Sequence, residues 1–443
     1  MAAAPPRRVL GAQLAEGITK GNMWALLTMA TAGTAVISFL PSTQPHILTT
    51  ILGVPESAQG RVVGLLGFSA ELAMIVSLAW YGALADRFGR RVIVVAGLVL
   101  CALGCALFPF AGDTAVLVAL RVVFGLGVAA INAMLSTIAI DYVRSRSRGK
   151  SYGLIGVFGG LGAVVAVLLL ARLPQTMERQ GLEPVAATRL AFLLIAGGIL
   201  VLALVLWLTL SRASVAGTHE RVPLPRLVRE GVVLARDPGV ALSYAASFVA
   251  RADLAVVVGF MTLWIVDYAT SERGMSSAEA LARAGSVVAI SQTVALVCAP
   301  VFGWLGDRMP RQNLVIIAQA VAAAAYLSTL LVSDPLGTGM IVVAVLIGVG
   351  EIAGITTAGP LLAQQVPAEV RGSAFGVHTL CGAAGIMIVS ALGGVLYDAW
   401  RPAGPFVVSG VFGLLVVALG LAVRRRVVPR AEADPAREAM PST

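Results

Sequence analysis

Charge is what this chain has least of. Asp, Glu, Lys and Arg make up 12% of its 443 residues, against 58% for apolar types. A soluble globular protein carries about twice that charged share, so a water-soluble fold is excluded. Cysteine is also sparse. Cys101, Cys105, Cys298 and Cys381 all fall within apolar runs and read as small core residues, not as disulfide partners or ligands. No cluster with metal-ligand spacing appears, and His219-Glu220 lacks the second His of a zinc helix. Neither a G-x-S-x-G elbow nor a G-x-x-x-x-G-K-[ST] phosphate loop is present, so hydrolase chemistry and ATP-driven pumping lose support. The expectation is no enzyme activity, no metal and no cofactor. Residues 1–20 also lack a signal-peptide core, because Pro5, Pro6, Arg7 and Arg8 precede only a weakly apolar stretch. The first apolar run is therefore expected to stay as an uncleaved anchor.

What the chain has in abundance is long apolar runs. Twelve can be marked, at 22–44, 60–82, 91–111, 115–139, 152–172, 189–211, 240–266, 285–305, 313–332, 339–362, 374–396 and 405–424. Each approaches the roughly 20 residues a spanning helix needs. Helices are expected because lipid cannot satisfy an open backbone, and barrel strands would alternate in short segments. The fold class is all-α integral membrane, with twelve transmembrane helices. The formal net charge of +9 might point to nucleic acid, but its placement argues otherwise. Of 32 Lys and Arg residues, 23 fall on one side of the spans, 7 on the other and 2 inside them. By the positive-inside rule both termini are expected in the cytoplasm. The expected setting is a bacterial inner or plasma membrane, and the expected state is a monomer with no nucleic-acid partner.

The chain is also doubled. Gly82 to Arg91 reads GALADRFGRR, and it returns 221 positions later at Gly303 to Gln312 as GWLGDRMPRQ. Arg148-Gly149 with Gly153 recurs 223 positions on as Arg371-Gly372 with Gly376, and Gly125-x-Gly127 recurs at the same offset as Gly348-x-Gly350. Three registers agreeing within two residues indicate an internal repeat. The polar, basic stretch 212–239 separates a first six-helix bundle, 1–211, from a second bundle with its tail, 240–443.

The ten-residue stretch resembles the signature loop of the major facilitator superfamily, twelve-helix secondary transporters. Gly82, Leu84, Ala85, Asp86, Arg87, Gly89, Arg90 and Arg91 match it fully, whereas the second copy carries Gly306, Pro310 and Gln312 in place of its small Ala, second Gly and last basic residue. The resemblance implies a cytoplasmic gate built from Gly82, Asp86, Arg87, Gly89, Arg90 and Arg91, with Asp307, Arg308 and Arg311 in the second copy. Physically, Asp86 can accept from the N–H groups at a helix start, while the arginines seek carboxylates or lipid phosphates. A purely topological role would need neither the Asp nor the glycines. RVVFGLGVAA, starting at Arg121, likewise resembles the family's fourth-span motif, which implies proton transfer or substrate binding by Arg121. The same glycines imitate a dinucleotide G-x-G-x-x-A, but no strand precedes them. The fifth span lacks the Gly-Pro pair of the drug–proton antiporter branch, so a multidrug exporter is not implied.

Ionisable residues inside the bilayer cost a few kcal/mol each on the mildest scale, which makes them functional candidates. Glu71 shares a stripe with Gly64, Gly67 and Gly82, and its repeat equivalent is the neutral Gln292. Arg121 opens a stripe with Gly125, Asn132 and Ser136. Arg251 and Asp253 stand two residues apart and so point about 200° away from each other on a regular helix. Glu351 sits in IGVGEIAGITTAGP, where its repeat equivalent is Val128. Thr31, Thr34, Ser38 and Ser42 form a hydroxyl stripe fit for substrate or for helix contacts. His378, one turn inside the eleventh span, reads as an interhelical contact in preference to a proton relay, and His46 as a single histidine. Glu71, Arg121, Asn132, Arg251, Asp253 and Glu351 are the candidates for proton coupling or substrate binding. The expectation is a secondary transporter of a small organic solute working by alternating access with proton coupling. The alternatives are a passive facilitator and a non-transporting membrane sensor or scaffold that binds a partner through 212–239.

Overall fold

The computed structural model describes residues 8–144, 147–211, 224–306, 308–367 and 370–427. Asp307, His219, Glu220 and the Asp86 side chain lie outside them. Among the described residues, twelve helices are long and apolar enough to cross a membrane. They are α1 (Lys20–Thr50), α2 (Glu56–Phe88), α3 (Arg90–Leu107), α4 (Thr114–Asp141), α5 (Arg148–Leu168) and α6 (Pro184–Thr209). The second six are α7 (Pro238–Ser271), α8 (Ser277–Gly306), α9 (Arg311–Leu327), α10 (Thr338–Gln365), α11 (Arg371–Ala399) and α12 (Gly404–Val423). Local chemistry sets several starts. Thr19 and Asn22 form a capping box on α1, Asp113 accepts from Val116 N at 2.8 Å ahead of α4, and Asp237 accepts from Gly239 N at 2.9 Å ahead of α7.

Three features depart from the sequence reading. The signature stretch is less a loop than a helix end, because Gly82 to Phe88 complete α2 and only Gly89 leaves the helix, at φ +89°. A positive φ without Cβ strain lets α3 restart at once. Second, α7 is not a regular helix, since Val256–Met261 form a π-helical turn. Third, the linker contains a helix, Leu224–Val233, held on the second half by Tyr244 Oη donating to Gly231 O at 2.9 Å. A two-residue strand pair, Arg8–Val9 with Ala12–Gln13, also precedes α1.

The repeat reappears as matched packing. Gly125 of α4 lies against Ala70 of α2, and Gly348 of α10 lies against the Ser291 carbonyl of α8, the same contact in each half. A side chain at Gly348 would collide with that carbonyl. Gly348→Leu is expected to cost about 1–3 kcal/mol, the usual range for overpacking, and to lower the melting temperature in detergent. Gly197→Leu, with nothing within 4 Å of its added Cβ, should not. Equal melting of the two variants would contradict the packing.

The halves meet through α2 against α11 and α5 against α8. Gly64 lets α2 approach the Ser390 carbonyl of α11 at backbone distance. Among the described residues, every side-chain hydrogen bond between the halves lies at the face where α1 ends and α2 begins. Asp398 of α11 accepts from the backbone N–H groups of Gly60 and Arg61, each at 2.8 Å. His46 of α1 bonds Ser277 of α8 and Thr188 of α6, each at 2.8 Å. Arg172 donates to Ser286 Oγ at 2.7 Å, and Ser276 to Glu178 at 3.3 Å.

Candidate functional site

A cavity of about 140 Å³ lies between the halves, lined from α1, α2, α4, α7 and α11. Glu71 and Arg121 face it from the first half, with Ser38 and Gln44 of α1 beside them and Phe260 and Ser390 opposite. Helix spacing explains the placement on α2: Gly64 and Gly67 abut Ser390 of α11, and Glu71 follows one turn later where the helices part. Glu71 is 4% and Arg121 8% exposed. They lie within electrostatic range of each other without closing an ion pair, and Arg251 of α7 stands within range of Glu71 from the second half. The Arg121 guanidinium lies 5.5 Å from the Phe124 ring centre, and its Nε has no hydrogen-bond partner. The buried Gln44 Nε2 also has none. The cavity thus presents unmet donors beside one carboxylate, a set that a ligand with anionic and neutral acceptor groups would satisfy.

The six sequence candidates do not share one chamber. Arg251 is exposed and packs its stem on Gly382 of α11, toward the interface. Asp253 and Glu351 are buried inside the second half and are not among the cavity-lining residues; Glu351 accepts from Gln292 at 3.1 Å. The two-residue spacing therefore divides Arg251 from Asp253 between two environments. Asn132 and Ser136 are exposed on α4, beyond the cavity toward the α4 end. The hydroxyl stripe of α1 divides too. Ser38 lines the cavity, whereas Thr34 faces Gly159 of α5 and Ser42 donates to its own helix at Phe39 O. His378 packs against Tyr244 and Phe375. Gln44 was missed by the sequence reading, and so was the bridging role of His46. Turn counting from Ser38 does not mark Gln44, which lies about 120° round the helix from it.

The signature arginines are clasped within their own halves. Arg90 pairs with Asp141 of α4, and Arg91 stacks at 3.9 Å over Trp207 of α6. Arg87 lies 5.2 Å from the Phe88 ring and Arg308 3.8 Å from that of Trp304, while Arg311 donates to Pro360 O at 2.7 Å.

Two matched helical bundles enclose at their seam a largely apolar cavity with a few convergent polar groups, the architecture that membrane transporters share. The sequence model of the Major Facilitator Superfamily matches residues 23–357 and 244–442. The chain belongs to that family and is an integral membrane protein. It is similar to the magnetosome protein MamH of Paramagnetospirillum magneticum, at 25% identity over 91% of this chain and 92% of that protein. It is also similar to a probable 4-methylmuconolactone transporter of Cupriavidus pinatubonensis, at 27% identity over 74% of each chain. Among solved structures, the nucleoside transporter NupG shares the fold with a TM-score of 0.73 at 13% identity, over 92% of this chain and all of that one.

Proposed function

We propose that the chain is a proton-coupled secondary transporter of a small organic anion or zwitterion, bound between the halves at Glu71, Arg121 and Arg251. The observation that carries this reading is a buried arginine with an unpartnered Nε, lining an inter-bundle cavity beside a carboxylate that also feels a second arginine from the opposite half. The cavity is smaller than the roughly 300–1,000 Å³ of drug-sized sites, which favours a compact solute. The relative named as a probable 4-methylmuconolactone transporter fits a small organic solute.

Residues 1–211 and 240–443 are the moving units, and 212–239 connects them. The face closed by Asp398 and His46 is the outer one, since the opposite face carries the basic excess. The conformation is therefore closed outside. Asn132 and Ser136 extend the polar surface from Arg121 inward, as a wet vestibule requires. When the inner face closes, the signature segments exchange their own-half partners for contacts across the seam, with Asp86 as acceptor for a helix start.

Glu71 is the acid placed to link proton and solute, because it lines the cavity with Arg121 and lies within electrostatic range of Arg251. A proton moving down the membrane potential supplies about 2.3 kcal/mol per 100 mV. Solutes are first found by thermal shift across carboxylic acids, amino acids and nucleosides, since a ligand that prefers the folded state raises its melting temperature. In proteoliposomes, wild-type flux of the hit should rise several-fold with an imposed pH gradient. Glu71→Gln should retain exchange while losing that response. Wild-type flux indifferent to the gradient would instead establish a passive facilitator.

A further inference from the structure

The linker helix, Leu224–Val233, has one side fastened to the second half and one side bare. Gly231 lies against the Ser373 carbonyl and Val377 of α11, where a Cβ would collide, and its own carbonyl accepts from Tyr244 of α7. Ser373 Oγ also donates to Glu230 at 3.5 Å. Leu234 and Ala235, in the 3-10 turn that follows, pack on the apolar cluster of Tyr244, Val366 and Val377. On the bare side, Val232 is 53% and Val233 48% exposed, and Arg229 and Arg236 are exposed with them. Residues three, four and seven positions apart share a helix face, so these four form one stripe with an arginine at each end of a valine pair. Neither arginine pairs with an acid among the described residues.

The depth of the helix says what covers this stripe. Tyr244 and Val377 each lie six residues past the starts of their spans, Pro238 and Arg371, which is about 9 Å along the helix axis. A helix touching both runs beside the first turns of the spans and not beyond them. Interfacial helices sit there, with an apolar face about 5–10 Å into the boundary of headgroups and acyl chains. A soluble protein would meet headgroups before it met Val232 and Val233. The first half is also a poor partner, because Arg87 and Lys150, exposed at the ends of α2 and α5 on the same basic side, carry the same sign as the stripe.

We propose that this stripe is a docking surface for anionic lipids of the leaflet on the basic side. Val232 and Val233 enter the acyl boundary, and Arg229 and Arg236 snorkel to the lipid phosphates. The helix is fastened to α7 and α11, and both line the solute cavity. Lipid bound here therefore bears on the spans that shape that cavity. The surface is separate from Glu71 and Arg121 and does not rest on the solute reading.

The test uses the full-length chain with its four cysteines replaced by alanine and an environment-sensitive dye attached at Val233→Cys. Titration with phosphatidylglycerol in detergent should shift the emission to the blue and saturate. Phosphatidylcholine should need a concentration about 30-fold higher, since each arginine near an anionic surface contributes about fivefold. Arg229→Gln/Arg236→Gln should raise the phosphatidylglycerol midpoint by the same factor and leave the melting temperature in lipid-free detergent unchanged, because both side chains are exposed. Arg229→Lys/Arg236→Lys should keep the wild-type midpoint. Soluble glycerol phosphate should not move the emission. In nanodiscs of equal parts of the two lipids, a spin label at the same position should collide more with oxygen than with a water-soluble nickel chelate. Equal midpoints for the two lipids, an unchanged midpoint in the glutamine variant, or a shift with glycerol phosphate would overturn the proposal. So would a label reached mainly by nickel, or one that neither reagent reaches because protein covers it.

Discussion

Arg121→Ala is expected to weaken solute binding at least about 30-fold, because removing one partner of an enclosed charged contact costs about 2–5 kcal/mol. A structural counter-ion to Glu71 would give a similar single-mutant loss, so the single variant does not decide the role. The double variant Arg121→Ala/Glu71→Gln does. Glu71 is enclosed beside Arg121, and removing that arginine leaves the acid with the Arg251 charge alone, which weakens the fold. Neutralising both should restore most of the melting temperature. Binding should stay lost, because the guanidinium lines the cavity and its Nε has no protein partner to give up. Recovery of binding together with stability would assign Arg121 to structure.

The second large effect concerns the closed face. Asp398 holds the first turns of α2 through two backbone N–H groups and stands 3.7 Å from the Arg61 side chain. In a chain whose four native cysteines are replaced by alanine, Arg61→Cys/Asp398→Cys is expected to cross-link on mild oxidation and stop transport, with reduction restoring it. A rocking mechanism needs these ends to part in every cycle. Full transport in the quantitatively cross-linked protein would rule out separation at this seam. Asp398→Ala alone should act in the opposite sense, by weakening the outer closure and shifting the population toward the outward-open form.

The apolar runs made the twelve spans legible, since lipid enforces length and composition on each one. The repeat was legible as well, because Gly125 and Gly348 serve the same close contact, tight for an added Cβ at the first and blocked by the Ser291 carbonyl at the second. The two environments of Arg251 and Asp253 followed from helix geometry over two residues. Beyond that the periodicity failed: a π-helical turn adds a residue, so Val258 to Phe260 reach the cavity although a 3.6-residue count does not place them there. Gln44 and the bridging role of His46 went unread for another reason. Uncharged polar residues carry little penalty in a span, and their meaning appears only when α6, α8 and the cavity come to meet them. Asp398 likewise acquires its role only when the halves dock. The signature segment differs from the loop it was read as, because one glycine, Gly89, makes the whole turn.

The central claim is that the two halves rock about the Glu71 and Arg121 cavity, and spin-label distances test it most directly. In the cysteine-free background, one pair joins the outer connections at Val54 and Arg273, and another joins the inner ones at Phe88 and Met309. Adding the solute with an acidic exterior should populate a longer outer distance and a shorter inner one in the same sample, and Glu71→Gln should reduce that response to the acidic exterior. Distance distributions for both pairs that stay fixed, or that lengthen together, would contradict alternating access in this protein.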